Sequence, residues 1–246
     1  TRYISVTGVQ TCALPISATR RAITSAAMLL QDEKGDDVLA EAKTGPTSRP
    51  RGRLGCAFGW MMLRVNGPMN RRAVEALVLQ HGETVLEIGC GPGDAIARLV
   101  RGRKARRIVA IDHASDMVEA ARKLNRAPVR DGLVDVRECS VSEMPFREGS
   151  FDAALAVNSV QFWPHLRLDL KSVLRVLKPG GRFVIAMRMT LEPRARRRCE
   201  MLLRALPNAG FVEVTMEEAA TRAFRIALIS GKRPIWAGGP YDAFVA

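Results

Sequence analysis

The sequence predicts an α/β fold, a doubly wound, mostly parallel seven-stranded sheet ending in an antiparallel C-terminal strand pair. Three observations predict it. Short apolar runs alternate with helical patterns from Thr84 to Met187, which implies βαβ units, parallel pairing and right-handed crossovers. The first run, Val85–Ile88, breaks at Gly89-Cys90-Gly91-Pro92-Gly93 into a helical pattern from Asp94, as a buried strand turning sharply into a helix would. Near the C-terminus, Phe211–Thr215 and Phe224–Ile229 are strand-like runs joined by a charged connection with no helix between them.

Taken in order, Leu54, Phe58, Met61, Met62 and Val65 recur at helical spacing, and Gly67-Pro68 is expected to interrupt that segment. A second helix spans Met69–Leu79. Thr84–Ile88 is the first strand and Asp94–Arg101 the helix after the glycines. Arg107–Ile111 is a second strand ending in Asp112, and Ser115 or Asp116 caps a helix running to about Leu124. Leu133–Glu138 and Phe151–Val157 are the third and fourth strands. Leu166–Leu177 is helical and stops at Lys178-Pro179-Gly180-Gly181, before a fifth strand over Arg182–Met187. Arg194–Leu206 is a helix, the terminal strand pair follows, and Ser230–Ala246 reads as a loosely packed tail.

The N-terminal residues are of a different kind. Val6–Ile16 back-translates without a gap into a widely used sequencing-library adapter, so residues 1–17 are set aside as an adapter artefact. Residues 18–50 read as a poorly ordered extension, 51–232 as the domain and 233–246 as a tail.

The 246 residues are 47% hydrophobic, enough for a substantial core, and no run approaches the ~18 apolar residues that span a membrane. The formal charge of +13 invites a nucleic-acid reading. Against it, 31 of the 38 basic residues are Arg, a bias that suggests GC-rich codons, and aromatics are too few at 5% to interleave with them. Five cysteines without a C-x-x-C pair argue against a zinc site or disulfide framework, so no metal is expected and a reducing cytoplasm fits. No membrane partner is expected, nucleic acid is disfavoured, and the oligomeric state is not legible.

In a doubly wound sheet, ligands sit beyond the carboxyl ends of the strands. The glycine loop is there, and Asp112 ends the next strand at about the 20-residue offset where an acid accepts ribose hydroxyls. Together they point to a nucleoside ligand. A dinucleotide loop, G-x-G-x-x-G, would need glycine where Asp94 stands, and an acid at a helix start repels pyrophosphate.

The spacing G-x-G-x-G after Glu87 resembles the first motif of the class I S-adenosylmethionine-dependent methyltransferases, whose ligand has a ribose and no phosphate. Phe151-Asp152-Ala153-Ala154 with Val157–Trp163 is similar to the family's fourth strand and following loop. Leu174–Gly181 is similar to its helix-to-fifth-strand turn, and Met144-Pro145-Phe146 to its L-P-F stretch. The likeness covers roughly Leu54 to Gly231 and is strongest to small single-domain bacterial members acting on metabolites.

The resemblance implies a Rossmann-like fold and a cytoplasmic enzyme that passes a methyl group from S-adenosylmethionine to a small-molecule acceptor by direct in-line displacement. It implies that Glu87 and the loop Gly89, Cys90, Gly91 and Gly93 hold the methionyl end, that Asp112 takes the ribose, and that His113 or Met117 packs near the adenine. The family commonly has an acid after the third strand to contact the adenine amino group, and here Ser140 and Val141 stand in its place. Asn158 would pass the reactive sulfonium, and an acceptor pocket would form from Trp60–Asn66, Asn158–Trp163 and Arg188–Pro193. No catalytic residue is identified; His165 and Asn158 are the candidates. Three alternatives stay open: an RNA-modifying methyltransferase, an NAD(P)-dependent oxidoreductase, and a cofactor-binding protein without catalysis.

Overall fold

The computed structural model describes residues 66–189, 193–221 and 224–235. The expectations for residues 1–65, including the helical spacing of Leu54–Val65, and for 236–246 lie outside these described residues. Within them, helix α1 covers 66–76, followed by β1 (Glu83–Ile88), α2 (Asp94–Gly102), β2 (Ala105–Asp112), α3 (Ser115–Leu124) and α4 (Arg126–Arg130). Then come β3 (Val134–Glu138), β4 (Phe151–Val157), α5 (Leu166–Val176), β5 (Leu177–Met189), α6 (Pro193–Asn208), β6 (Val212–Ala220) and β7 (Arg225–Lys232).

The strands form one seven-stranded sheet in the order β3-β2-β1-β4-β5-β7-β6. The first five pair in parallel, whereas β7 runs antiparallel to both β5 and β6. The strand order reverses between β1 and β4, which opens the crevice at the carboxyl ends of those two strands. β1 is buried at five consecutive positions because helices cover both faces, which is why it reads as a continuous apolar run.

The alternation of side chains splits the core into two layers. Leu86, Ile88, Phe183, Ile185 and Met187 face α5 and α6, with Trp163 stacked on Phe183 at 6.3 Å. Val85, Val184 and Ala186 face the opposite layer, which holds Met69 of the first helix, Leu77 just after it, and Ile96 and Leu99 of α2.

Several expectations need correction. Gly67 and Pro68 lie inside α1, since proline's fixed φ suits a helix and costs it only one N–H donor. α4 was not anticipated, because five residues with a central Pro128 carry no amphipathic period. α5 ends at Val176, and Leu177–Gly181 already belong to β5, with a left-handed turn at Gly180; an X-Pro step disfavours helix for the residue before it. Ser230–Lys232 belong to β7, where they pair with Val184 to Arg182, and so are not tail. β6 runs on to Ala220 as a largely exposed edge strand, with Glu213, Glu217 and Glu218 guarding it against edge-to-edge pairing.

Candidate functional site

The crevice between β1 and β4 is walled by Glu87, the loop Gly89–Pro92 and Val157, and from α1 and α2 by Asn66, Asn70 and Asp94. The loop is stitched to β2: the N–H groups of Gly89 and Cys90 both donate to the Ile111 carbonyl, at 2.8 and 3.1 Å. The Gly91 N–H donates to Asp112 Oδ2 at 2.8 Å, and the Ala114 N–H to its Oδ1 at 3.0 Å. Asp112 therefore aims one carboxylate at both the loop and the start of α3. It is buried, which raises its pKa, against the opposing pull of those two N–H donors. The acceptor capacity that remains on the carboxylate could take a ligand hydroxyl.

Two glycines are fixed by their neighbours. Gly89 has φ 71° and a Cβ there would lie 2.4 Å from the Cβ of Ser159, whose hydroxyl donates to the Ile88 carbonyl at 2.8 Å. Gly93, the residue before α2, has φ 90° and faces Asn125 and Ala121. Gly89→Ala should lose roughly 2–5 kcal/mol of stability, a left-handed alanine and an overpacked contact each costing about 1–3 kcal/mol. Denaturant unfolding measures this, and adding Ser159→Gly should restore part of the loss.

Glu87 is 2% exposed, and its Oε2 is buried with no hydrogen-bond partner. Burial, then the nearby carboxylates of Asp94 and Asp112, push its pKa well above the ordinary glutamate range. An orphaned carboxylate oxygen on a crevice wall is a ready acceptor for a cationic ligand group. A ligand with an ammonium and a ribose thus fits the residues present. Burial, with Asp112 and Glu87 adding to it, raises the Cys90 thiol well above its usual value, so it remains an unreactive S–H.

The other sequence-predicted residues fall into two groups. His113 places Nδ1 3.7 Å from Asp112 Oδ1, and Met117 is buried in the first turn of α3. The Cys139 N–H donates to the Asp112 carbonyl at 2.9 Å, which brings Ser140 and Val141 alongside that strand end. Val141 buries its side chain in the core, leaving its backbone and the half-buried Ser140 as the polar groups there. Asn158 has a left-handed φ of 50°, donates its N–H to the Ala186 carbonyl at 2.7 Å and accepts from Gln161 Nε2 at 2.8 Å. His165, by contrast, is exposed at the start of α5, and its backbone N–H donates to the Asp169 carboxylate, Oδ2, at 2.9 Å.

Sequence reasoning missed three supports of the crevice. Asn70 and Arg98 both donate to Asp94 Oδ2, at 2.8 and 2.7 Å. Asn125 donates to the carbonyls of Gly93 and Ala121, holding the loop exit against α3. Ser159 locks the loop entry. Their shared signal is a small polar residue beside an apolar run, which is also the signature of an ordinary cap.

No helix among the described residues is long and apolar enough to cross a membrane. A family model described as a methyltransferase domain matches residues 86–185. The chain is 28% identical over 129 residues to the uncharacterized methyltransferase YdaC of Bacillus subtilis, covering 52% of this chain and 69% of that protein. It is 30% identical over 118 residues to the O-methyltransferase resE of Aspergillus sclerotiorum, covering 48% of this chain but only 44% of that one. Its fold is shared by geranyl diphosphate C-methyltransferase from Streptomyces coelicolor A3(2), solved with S-adenosyl-L-homocysteine, at 18% identity and a TM-score of 0.57 over 69% of this chain and 77% of that one. The matched domain, residues 86–185, runs from β1 to β5 and includes the crevice, so the chain carries a methyltransferase domain with S-adenosylmethionine as its cofactor.

Proposed function

We propose that this protein methylates a small-molecule acceptor, with Glu87 and the Gly89–Gly93 loop receiving the methionyl end of the cofactor and Asp112 its ribose. The observation that carries this reading is the buried, unpartnered Oε2 of Glu87 beside a loop already anchored to Asp112. Asp94 in the first turn of α2 adds to it, because a carboxylate there disfavours the pyrophosphate of a dinucleotide. When bound, S-adenosylmethionine supplies a methyl group already activated by its sulfonium. The protein's share is then to orient the partners and exclude water. Asn158, held in a left-handed turn at the end of β4, is the residue best placed to orient an acceptor. A small-molecule acceptor is in keeping with a relative named as an O-methyltransferase and with a fold neighbour named as geranyl diphosphate C-methyltransferase.

Calorimetry with S-adenosylmethionine should show binding, and NAD should give no heat. Labelled methyl groups should pass to components of a small-metabolite extract. Heat with NAD alone would overturn the reading, as would label entering RNA together with a steep salt dependence of RNA affinity.

A further inference from the structure

Arg188 lies near the carboxyl end of β5. Two residues earlier, Ala186 pairs with Val157, a wall of the crevice. Side chains two apart on a strand share a face, so Arg188 stands on the side of Val184 and Ala186. That is the layer of α1, from which Asn66 and Asn70 close the crevice. β5 is two strands from β1, about 10 Å to the side, and Arg188 lies four residues, about 13 Å, beyond the level of Glu87. It is therefore displaced from the glycine loop, beyond the carboxyl end of β4.

Arg98, Arg107, Arg137, Arg182, Arg225 and Arg233 each meet a carboxylate. Arg188 has no carboxylate within ion-pair distance among the described residues. Its Nε is buried without an acceptor, and its Cζ lies over the Phe224 ring, 4.2 Å from the ring centre. A guanidinium held against a ring keeps its N–H groups as donors, the fork that takes a carboxylate or phosphate in two parallel hydrogen bonds.

We propose that Arg188, stacked on Phe224, is an anion-binding subsite that selects methyl acceptors bearing a carboxylate or phosphate group. The assignment rests on the methyl-transfer reading for calling the bound molecule an acceptor, and the two can fail separately.

The full chain, loaded with S-adenosylhomocysteine, is titrated with benzoate and with inorganic phosphate as probes. The Nε–H resonance of Arg188, assigned from the spectrum of Arg188→Lys, should shift saturably with at least one of them. A shift with benzoate alone identifies a carboxylate site, and with phosphate alone a phosphate site. Arg188→Met should weaken the binding at least 10-fold, while Arg101→Met, an equal change of charge at the far end of α2, should leave it unchanged. Affinity for S-adenosylhomocysteine should stay within about threefold in all three variants, since an exposed or distant charge contributes little to a screened site. The proposal is overturned if neither anion moves the Arg188 resonance, or if Arg188→Met binds them as the wild type does. Should Arg188→Met fail to fold, the resonance titration of the wild type and the Arg188→Lys affinities still decide. Loss of S-adenosylhomocysteine binding by the wild type would instead sink the methyl-transfer reading.

Discussion

Asp112→Ala should abolish measurable binding of S-adenosylmethionine and also lower the melting temperature by roughly 5–20 °C, taking ~2–6 kcal/mol of lost stability at about 2–4 °C per kcal/mol. Both losses have one cause. The carboxylate accepts from Gly91 and from Ala114, and alanine leaves these two backbone donors buried with nothing to meet them. Each unsatisfied donor costs about 1–3 kcal/mol. The loop would also lose the anchor that sets its height above β1, beyond any direct contact with a ribose. Asp112→Asn separates the effects. An amide offers a single acceptor oxygen, so one of the two donors stays paired and the stability loss should be about half, while ribose recognition falls almost as far. Differential scanning calorimetry and binding titrations on both variants test this. An Asp112→Ala protein that melts like the wild type would contradict the anchoring role.

Glu87→Gln should bind S-adenosylmethionine about 10- to 100-fold more weakly, the loss of a hydrogen bond to a charged partner being about 1.5–3 kcal/mol. Yet the unliganded variant should be more stable than the wild type at neutral pH. Burial, with Asp94 and Asp112 adding to it, raises the Glu87 pKa, so the native state holds this proton at pH values where the unfolded chain has released it. Between the ordinary glutamate range and the raised value, the folded protein binds more protons than the unfolded one. Its stability must then fall as pH rises, and it is fullest below that window. Glutamine carries no such penalty. Ligand binding has the opposite slope, because a cationic ligand prefers the ionised carboxylate: affinity should rise with pH through the same window, with proton release on binding. Calorimetry in buffers of different ionisation enthalpy reads that release directly. A pH-independent affinity, or a Glu87→Gln protein less stable than the wild type, would remove Glu87 from this role.

Much of the molecule was legible in the sequence. The five parallel strands, the antiparallel pair, the glycine loop and the acid ending β2 all appear where apolar period and turn residues put them. These are local properties: a strand buried on both faces must be apolar throughout, and a strand turning into a helix needs residues free to take positive φ. The misses were local conflicts. Pro128 hid a short helix, Pro179-Gly180-Gly181 concealed the start of β5, and a Gly-Pro pair suggested a break that α1 does not make.

What the sequence determined by itself was the layout of the sheet and which of its ends would hold a ligand. Tertiary structure alone decided what steadies and surrounds that end. Asn70 reaches Asp94 across 24 residues and Ser159 reaches Ile88 across 71, while Arg188 comes to rest on Phe224 only because β7 lies antiparallel beside β5. The physical reason is one of range. Periodicity records the face a residue buries, whereas the partner it meets there depends on strand order and on helices packed from distant parts of the chain.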